Sequence, residues 1–368
     1  MIPPYSRRAI AHRRRTRRLI RSGVLAAILL LLIVVVFFRP FGGNGSKNVT
    51  LGPSPSSGPS TSSSAGASTR PSSPAPSSAS ASPTAPATPP TLSVNAMVKG
   101  LPTPVSRAQA FLDGQTFLIL GGLIGGNSSA NVSRFFPVSD TVAPAGTLAV
   151  ATHDAAAAPL GTNVLVFGGG EAVTIDQVQT LGPRGSAVVG HLPQARSDLV
   201  AAAVGGRIYL LGGYDGKTDQ PSVLVTTDGT SFQVVAQLPT PVRYAGVAVV
   251  GSTIYLIGGE HNGAQTTQIQ AVDVSARTAK VVANLPVGIS HEAAFVLGGT
   301  VFIAGGRAGA TVRNQVDVVD TTSGMLTRAG LLPRAAADMA VGQNGNDVYL
   351  FGGESPTPIS SIVHIGIS

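Results

Sequence analysis

Apart from one long apolar run near the N-terminus, the apolar residues of this chain come in short bursts of four or five. Each burst is closed by two glycines: "TFLILGG", "NVLVFGG", "RIYLLGG", "TIYLIGG", "TVFIAGG" and "DVYLFGG". Short apolar runs bounded by turn residues predict buried strands rather than helices. The first glycine of each pair falls at positions 121, 168, 212, 258, 305 and 352, in steps of 47, 44, 46, 47 and 47. Twenty residues before each stands a leucine: Leu101, Leu148, Leu192, Leu238, Leu285 and Leu332. Proline follows that leucine everywhere except at Ala149. Coincidence at one fixed offset, repeated along the chain, identifies a repeat protein.

Within each repeat, "LVAAAVGGRIYLLGG" reads as a strand, a tight turn and a second strand. The corresponding turns are Asp113-Gly114, Gly161-Thr162, Gly205-Gly206, Gly251-Ser252, Gly298-Gly299 and Asn344-Gly345, which suit two-residue hairpin loops. Two further strands follow, as in "IQAVDVSARTAKVVANLP". Four strands every 44 to 47 residues predict an all-β chain forming a six-bladed β-propeller. Only 16 residues follow Gly352, enough for a third strand but not a fourth. "LSVNAMVKGLP" at the start matches the fourth-strand segment "AKVVANLP", so Leu92 to Lys99 is expected to complete the last blade.

The doublet that ends each second strand resembles that of the kelch repeat, and the resemblance covers Leu92 to Ser368. It departs from that pattern in having no tryptophan; the approximate place of the outer-strand tryptophan holds Phe232, Ala279 and Leu326. The resemblance implies a six-bladed kelch-type propeller with ligand contacts from the loops at one mouth.

Composition divides the chain differently. Its formal charge is +8, but nine arginines lie within the first 39 residues and two more basic residues, Lys47 and Arg70, stand just behind them. Residues 92–368 therefore hold 14 basic and all 17 acidic residues. A basic tail is not a basic surface, which removes nucleic acid as a partner. The chain has no cysteine, which excludes disulfides, thiolate metal sites, a cysteine nucleophile and a thiol-linked radical cofactor; no cofactor and no metal are expected.

Residues 1–21 read as a basic cytoplasmic tail and residues 22–39 as a transmembrane signal anchor, built on the apolar run Gly23 to Phe38. No small-residue cleavage site follows it, so the segment is expected to remain as an anchor. Residues 40–91 form a Ser/Pro/Ala/Thr linker expected to be disordered, since from Gly52 to Thr91 only Gly, Pro, Ser, Thr, Ala and Arg70 occur, and with no aliphatic or aromatic side chain larger than alanine the stretch offers little to bury. The arginine excess sends the propeller, residues 92–368, to the outside. The Ala-, Gly- and Arg-rich usage suggests a bacterial chain.

The candidate site follows from the strand order. The first strand leaves one rim and the second returns to it, so residues 14 before each doublet share that rim with the loop behind it. Those positions are Arg107, Asp154, Asp198, Tyr244, His291 and Asp338. Near them lie His153, Arg196, Arg243 and Glu292, and after the doublets Glu171, Tyr214, Asp215, Glu260, His261, Arg307 and Glu354. Loop chemistry on a rigid scaffold is where binding sites commonly lie. The expectation is a membrane-tethered extracellular module that binds a protein or glycan at this mouth. The alternative is a surface enzyme acting on a carbohydrate, with Asp154, Asp198, Asp338 and His291 as acid and base, as in sugar epimerases of kelch type. A metal shared by His153 and His291 is the weakest reading. The first two differ in whether the rim carboxylates converge on one small ligand or spread over a broad polar face.

Overall fold

A computed structural model describes residues 90–182 and 185–368. The tail, anchor and linker lie outside the described residues. Six antiparallel sheets form the blades, five of four strands and the first of five because the two-residue strand Leu123–Ile124 joins it. The third, for example, consists of Val200–Val204, Arg207–Leu211, Ser222–Thr226 and Gln233–Gln237, joined in sequence order. The sixth consists of Ala340–Asn344, Asp347–Phe351 and Ile362–Ile367, completed by Leu92–Ala96 from the start of the domain. That strand pairs Leu92 with Ile367 and Ala96 with Val363, so the N-terminal strand closes the ring as the repeat count predicts.

Each seam between neighbouring blades holds its own core. Tyr209, Leu211 and Val223 of the third blade pack with Ile254, Leu256 and Val272 of the fourth. At the closing seam the core is aromatic: Phe117 lies 5.1 Å from Tyr349 and Phe135 5.4 Å from Phe351, ring centre to ring centre. Tilted and edge-on pairs of this kind contribute beyond the area they bury, and here they hold the one seam that joins the two ends of the domain. The six leucines 20 residues before the doublets are all buried.

The doublets are junctions between blades. In the first blade Gly121 and Gly122 have φ of 64° and 89°, and the Gly122 N–H donates to the Thr152 carbonyl, ahead of the next blade's inner strand, at 2.8 Å. A Cβ on Gly121 would stand 2.5 Å from that same oxygen, and one on Gly122 would stand 2.8 Å from the Ala108 Cβ of its own blade. Every doublet repeats the bond: Gly169 to Arg196, Gly213 to Val242, Gly259 to Ile289, Gly306 to Ala336 and Gly353 to Val105. The first of each pair is glycine because backbone from the adjacent blade occupies the space of a side chain, and the second because its own blade does.

Two details depart from the expected pattern. In the first and last blades the hairpin turn lies one residue later than predicted: Asp113 pairs with Thr116 and Asn344 with Asp347, leaving Gly114-Gln115 and Gly345-Asn346 in the turns. The first turn position needs positive φ, and Gly114 and Gly345 supply it at 62° and 58°, so glycine rather than Asp or Asn sets the register. The first blade's outer strand, Thr141–Thr152, is 12 residues long. Elsewhere a Leu-Pro step ends the outer strand; at Leu148-Ala149 there is no proline to withhold a donor, and pairing runs on to Ser129↔Thr152.

Candidate functional site

Arg107, Asp154, Asp198, Tyr244, His291 and Asp338 occupy equivalent backbone positions just ahead of the inner strands, and all are in the left-handed region, with φ between 51° and 60°. Their backbones join in a closed ring. The N–H of Asp154 donates to the carbonyl of Arg107, Asp198 to Asp154, Tyr244 to Asp198, His291 to Tyr244, Asp338 to His291, and Arg107 back to Asp338, at 2.8–3.1 Å. One residue from each blade thus ties the propeller together at one mouth. Left-handed backbone costs a residue with a Cβ on the order of 1 kcal/mol, and glycine would adopt it freely. Asp and His tolerate the region; arginine and tyrosine are unusual there.

Around this symmetric ring the side chains are asymmetric. Between the fifth, sixth and first blades they are tightly paired. Arg107 donates to Asp154 at 3.1 Å and to Glu354 at 3.2 Å, and Arg307 to Glu354 at 2.7 Å and Asp338 at 3.3 Å. His291 lies 2.6 Å from Asp338 through Nδ1 and 3.3 Å from Glu260 through Nε2. Burial lowers the affinity of this imidazole for a proton, but the hydrogen bonds to Asp338 and Glu260 outweigh it and raise its pKa to about 9. His291 is therefore a cation at neutral pH, donating from both ring nitrogens. The bond from His291 holds Glu260 below the ordinary carboxyl range; for Asp338 desolvation is the largest influence and raises it, but its bond to His291 and the charges of His291, Arg107 and Arg307 together lower it.

The sector at the third and fourth blades is looser. Arg243 stacks over Tyr214 at 4.8 Å and Tyr244 at 5.3 Å, and Tyr244 in turn stacks on His291 at 4.0 Å. Its nitrogens lie 3.9 Å from Asp198, 3.7 Å from Asp219 and 3.8 Å from Glu260, beyond ordinary hydrogen-bond length. Burial raises the carboxyls of Asp154 and Asp198, and the neighbouring charge of Asp198 raises Asp154 further. Below the ring a cavity of about 110 Å³ is lined by all six ring residues and by Leu199, Ala245, Glu292 and Met339.

The loops behind the doublets share this rim through single antiparallel bridges, among them His153↔Gly170, Ser197↔Tyr214, Arg243↔Glu260 and Ala337↔Glu354. Of the neighbouring candidates, Arg243, Tyr214, Glu260, Arg307 and Glu354 join the network just described. Arg196 does not: it is 2% exposed and donates to the Gly212 and Ser222 carbonyls, so it braces backbone. Asp215 accepts from its own loop at Lys217 and Thr218. His153 contacts Ser128, while both nitrogens of His291 face carboxylates; among the described residues no group of three His, Cys, Asp or Glu is arranged to hold a metal. Asp219, missed in the sequence, is buried beside Arg243 and His261. It has no counterpart at a fixed offset in other repeats, so nothing in the spacing marks it.

Comparison with known proteins agrees with this architecture. The family model described as "Kelch motif" matches residues 195–225. Kelch-like protein 35 of Mus musculus is 30% identical over 169 residues, which are 44% of this chain and 28% of that protein's length. The solved structure titled "Structure of YjhT" superposes with a TM-score of 0.62 at 16% identity, covering 72% of this chain and 95% of that one. With the six blades, these matches support a kelch-repeat β-propeller.

Proposed function

We propose that this propeller is a protein-interaction module whose working face is the mouth framed by Arg107, Asp154, Asp198, Tyr244, His291 and Asp338. One observation carries the reading: six backbone positions equivalent in geometry hold charged and aromatic side chains where glycine would be least strained. Strain retained in the lining of a cavity at the mouth is a mark of function rather than of stability. The variation around the ring, with arginine, tyrosine and histidine at one blade each and aspartate at three, suits an asymmetric partner. The similarity to a Kelch-like protein over the repeats is consistent with it.

The carbohydrate-enzyme alternative is less well supported. The carboxylates do converge, but Asp154, Asp338 and Glu354 already accept from arginines or His291 within 3.3 Å. The cavity of about 110 Å³ is well below the few hundred Å³ usual for small-molecule sites.

A photo-crosslinking side chain placed at Val173, exposed on a mouth loop, is expected to capture a protein partner on intact cells. The same group at Gln115, in a hairpin turn at the opposite end of the blades, is not. Capture from Gln115 alone would put the working face at the other mouth. From the arginine asymmetry we also propose that the N-terminal segment anchors the chain in a membrane with the propeller outside, on a bacterial cell surface. External protease should then cut between Gly52 and Thr91 and release the propeller; protection of that stretch would reverse the orientation.

A further inference from the structure

Among the described residues, two of the acidic side chains that line this cavity have no cation within hydrogen-bond reach. The Asp198 carboxylate is 6% exposed and 3.9 Å from its nearest cation, Arg243 Nη1; its close donor is the neutral Ser197 Oγ at 3.2 Å. Glu292 is 7% exposed. Its Oε1 accepts the Gly246 N–H at 3.1 Å, and its Oε2, fully buried, has no partner. Both residues line the same cavity. Buried carboxylates are ordinarily paired, because a lone one loses its hydration without compensation. Here the two have only neutral or backbone donors within hydrogen-bond distance, beside neighbours that are tightly paired.

We propose that this cavity takes the cationic head of a lysine or arginine side chain presented by the partner protein, with Asp198 and Glu292 as its acceptors. The proposal rests on the interaction reading and names the chemistry the partner must bring. Room for on the order of four water molecules fits an ammonium or guanidinium head. The apolar walls from Leu199, Ala245 and Met339 suit the methylene stem of such a side chain, as basic residues bury their stems while their heads are paired. A divalent metal is a poorer fit, since the described residues supply no three-ligand group.

Protonation gives the proposal a second readout. Glu292 faces His291 beside it and Arg313, with the backbone of Gly246 against it; burial is the dominant influence and pushes its carboxyl up to about 7. Asp198 faces Tyr244, Arg243, Arg107 and Asp154, and burial raises it too. A bound cation favours the ionised carboxylates, so binding at pH 6 releases a proton. For one such group, affinity rises about tenfold between pH 6 and pH 8.

The test is calorimetric titration of the full-length protein, in two buffers of different ionisation enthalpy, with Gly-Gly-Arg-Gly-Gly, its lysine counterpart and the neutral citrulline counterpart. A basic peptide is expected to bind at least tenfold more tightly than the citrulline peptide, with proton release at pH 6 and about tenfold higher affinity at pH 8. Glu292→Gln and Asp198→Asn, close in shape to the native side chains, should each weaken binding at least tenfold without lowering the melting temperature; should one fail to fold, the other decides. Equal binding of the citrulline peptide, pH-independent affinity, or no binding of either basic peptide overturns the proposal. Free arginine amide binding as tightly as the peptide would also overturn it, by removing the partner chain from recognition. Capture from Val173 alongside any of these failures would leave the interaction reading standing, whereas loss of both would remove it.

Discussion

Replacing Gly121 with alanine tests the claim that the doublets join blades rather than merely turn the chain, and Gly114→Ala in the same blade is its control. The two glycines have nearly the same φ, 64° and 62°. They differ in surroundings: nothing lies within 4 Å of a Cβ built on Gly114, whereas one on Gly121 meets the Thr152 carbonyl at 2.5 Å, the Ser129 carbonyl at 3.3 Å and Leu148 Cδ1 at 3.5 Å. Both variants incur the left-handed penalty, about 1 kcal/mol. Only Gly121→Ala must also displace backbone, at about 1–3 kcal/mol, and weaken the bond from the Gly122 N–H to Thr152, about 1 kcal/mol. The expected losses are about 1 kcal/mol for Gly114→Ala and about 3–5 kcal/mol for Gly121→Ala. Urea unfolding, with an unchanged slope and a shifted midpoint, reads the difference. Equal losses would mean that backbone conformation alone, not the neighbouring blade, demands glycine.

Three further outcomes follow from the same geometry. Glu292 has a folded-state pKa raised above its ordinary value, to about 7, so its burial penalty is absent below about pH 4.5 and complete above about pH 7. Glu292→Gln should therefore melt higher than the native protein at pH 8 and nearly equal to it at pH 4.5; an advantage confined to low pH would refute the sign. His291 is also raised, to about 9, but as a base its contribution is complete below about pH 6.5 and lost as pH rises through 9. The deficit of His291→Gln, at most about 3 kcal/mol, should shrink over that window in thermal melts; a deficit that grows with pH would show that the imidazole is neutral. Deleting Leu92 to Lys99 removes the strand paired with Ile362–Ile367 and the apolar contacts of Leu92 and Val94. With about 1.5–3 kcal/mol per buried aliphatic side chain, melting should fall by more than about 5 °C, and an unchanged melting temperature would contradict closure by that strand.

The sequence by itself determined what repeats. Spacing, the glycine doublets and the buried leucines recur at fixed offsets because each blade makes the same backbone junction with the next. Six copies of one constraint are visible without coordinates. The missing fourth strand at the C-terminus and its match at Leu92 followed from counting, and the shared rim of Arg107, Asp154, Asp198, Tyr244, His291 and Asp338 followed from strand direction alone. The hairpin register at Gly114 and Gly345 escaped because Asp-Gly and Asn-Gly are equally plausible one step earlier, and only the required φ at glycine decides between them.

What the sequence could not determine is how unlike residues meet across blades. That Arg243 lies over Tyr214 as well as Tyr244 depends on a contact from the neighbouring repeat, whereas Arg196 braces the Gly212 carbonyl of its own. The closed ring of left-handed residues is likewise a property of six blades brought around one axis, since five of its bonds join neighbouring repeats and the closing one joins Arg107 to Asp338 of the last. The electrostatic character of the mouth was equally hidden. His291 is a cation because Asp338 and Glu260 converge on it, and Glu292 lacks a counter-ion because none is in reach. Such differences arise from burial and distance, which tertiary structure alone sets, and they separate carboxylates that look alike in the sequence.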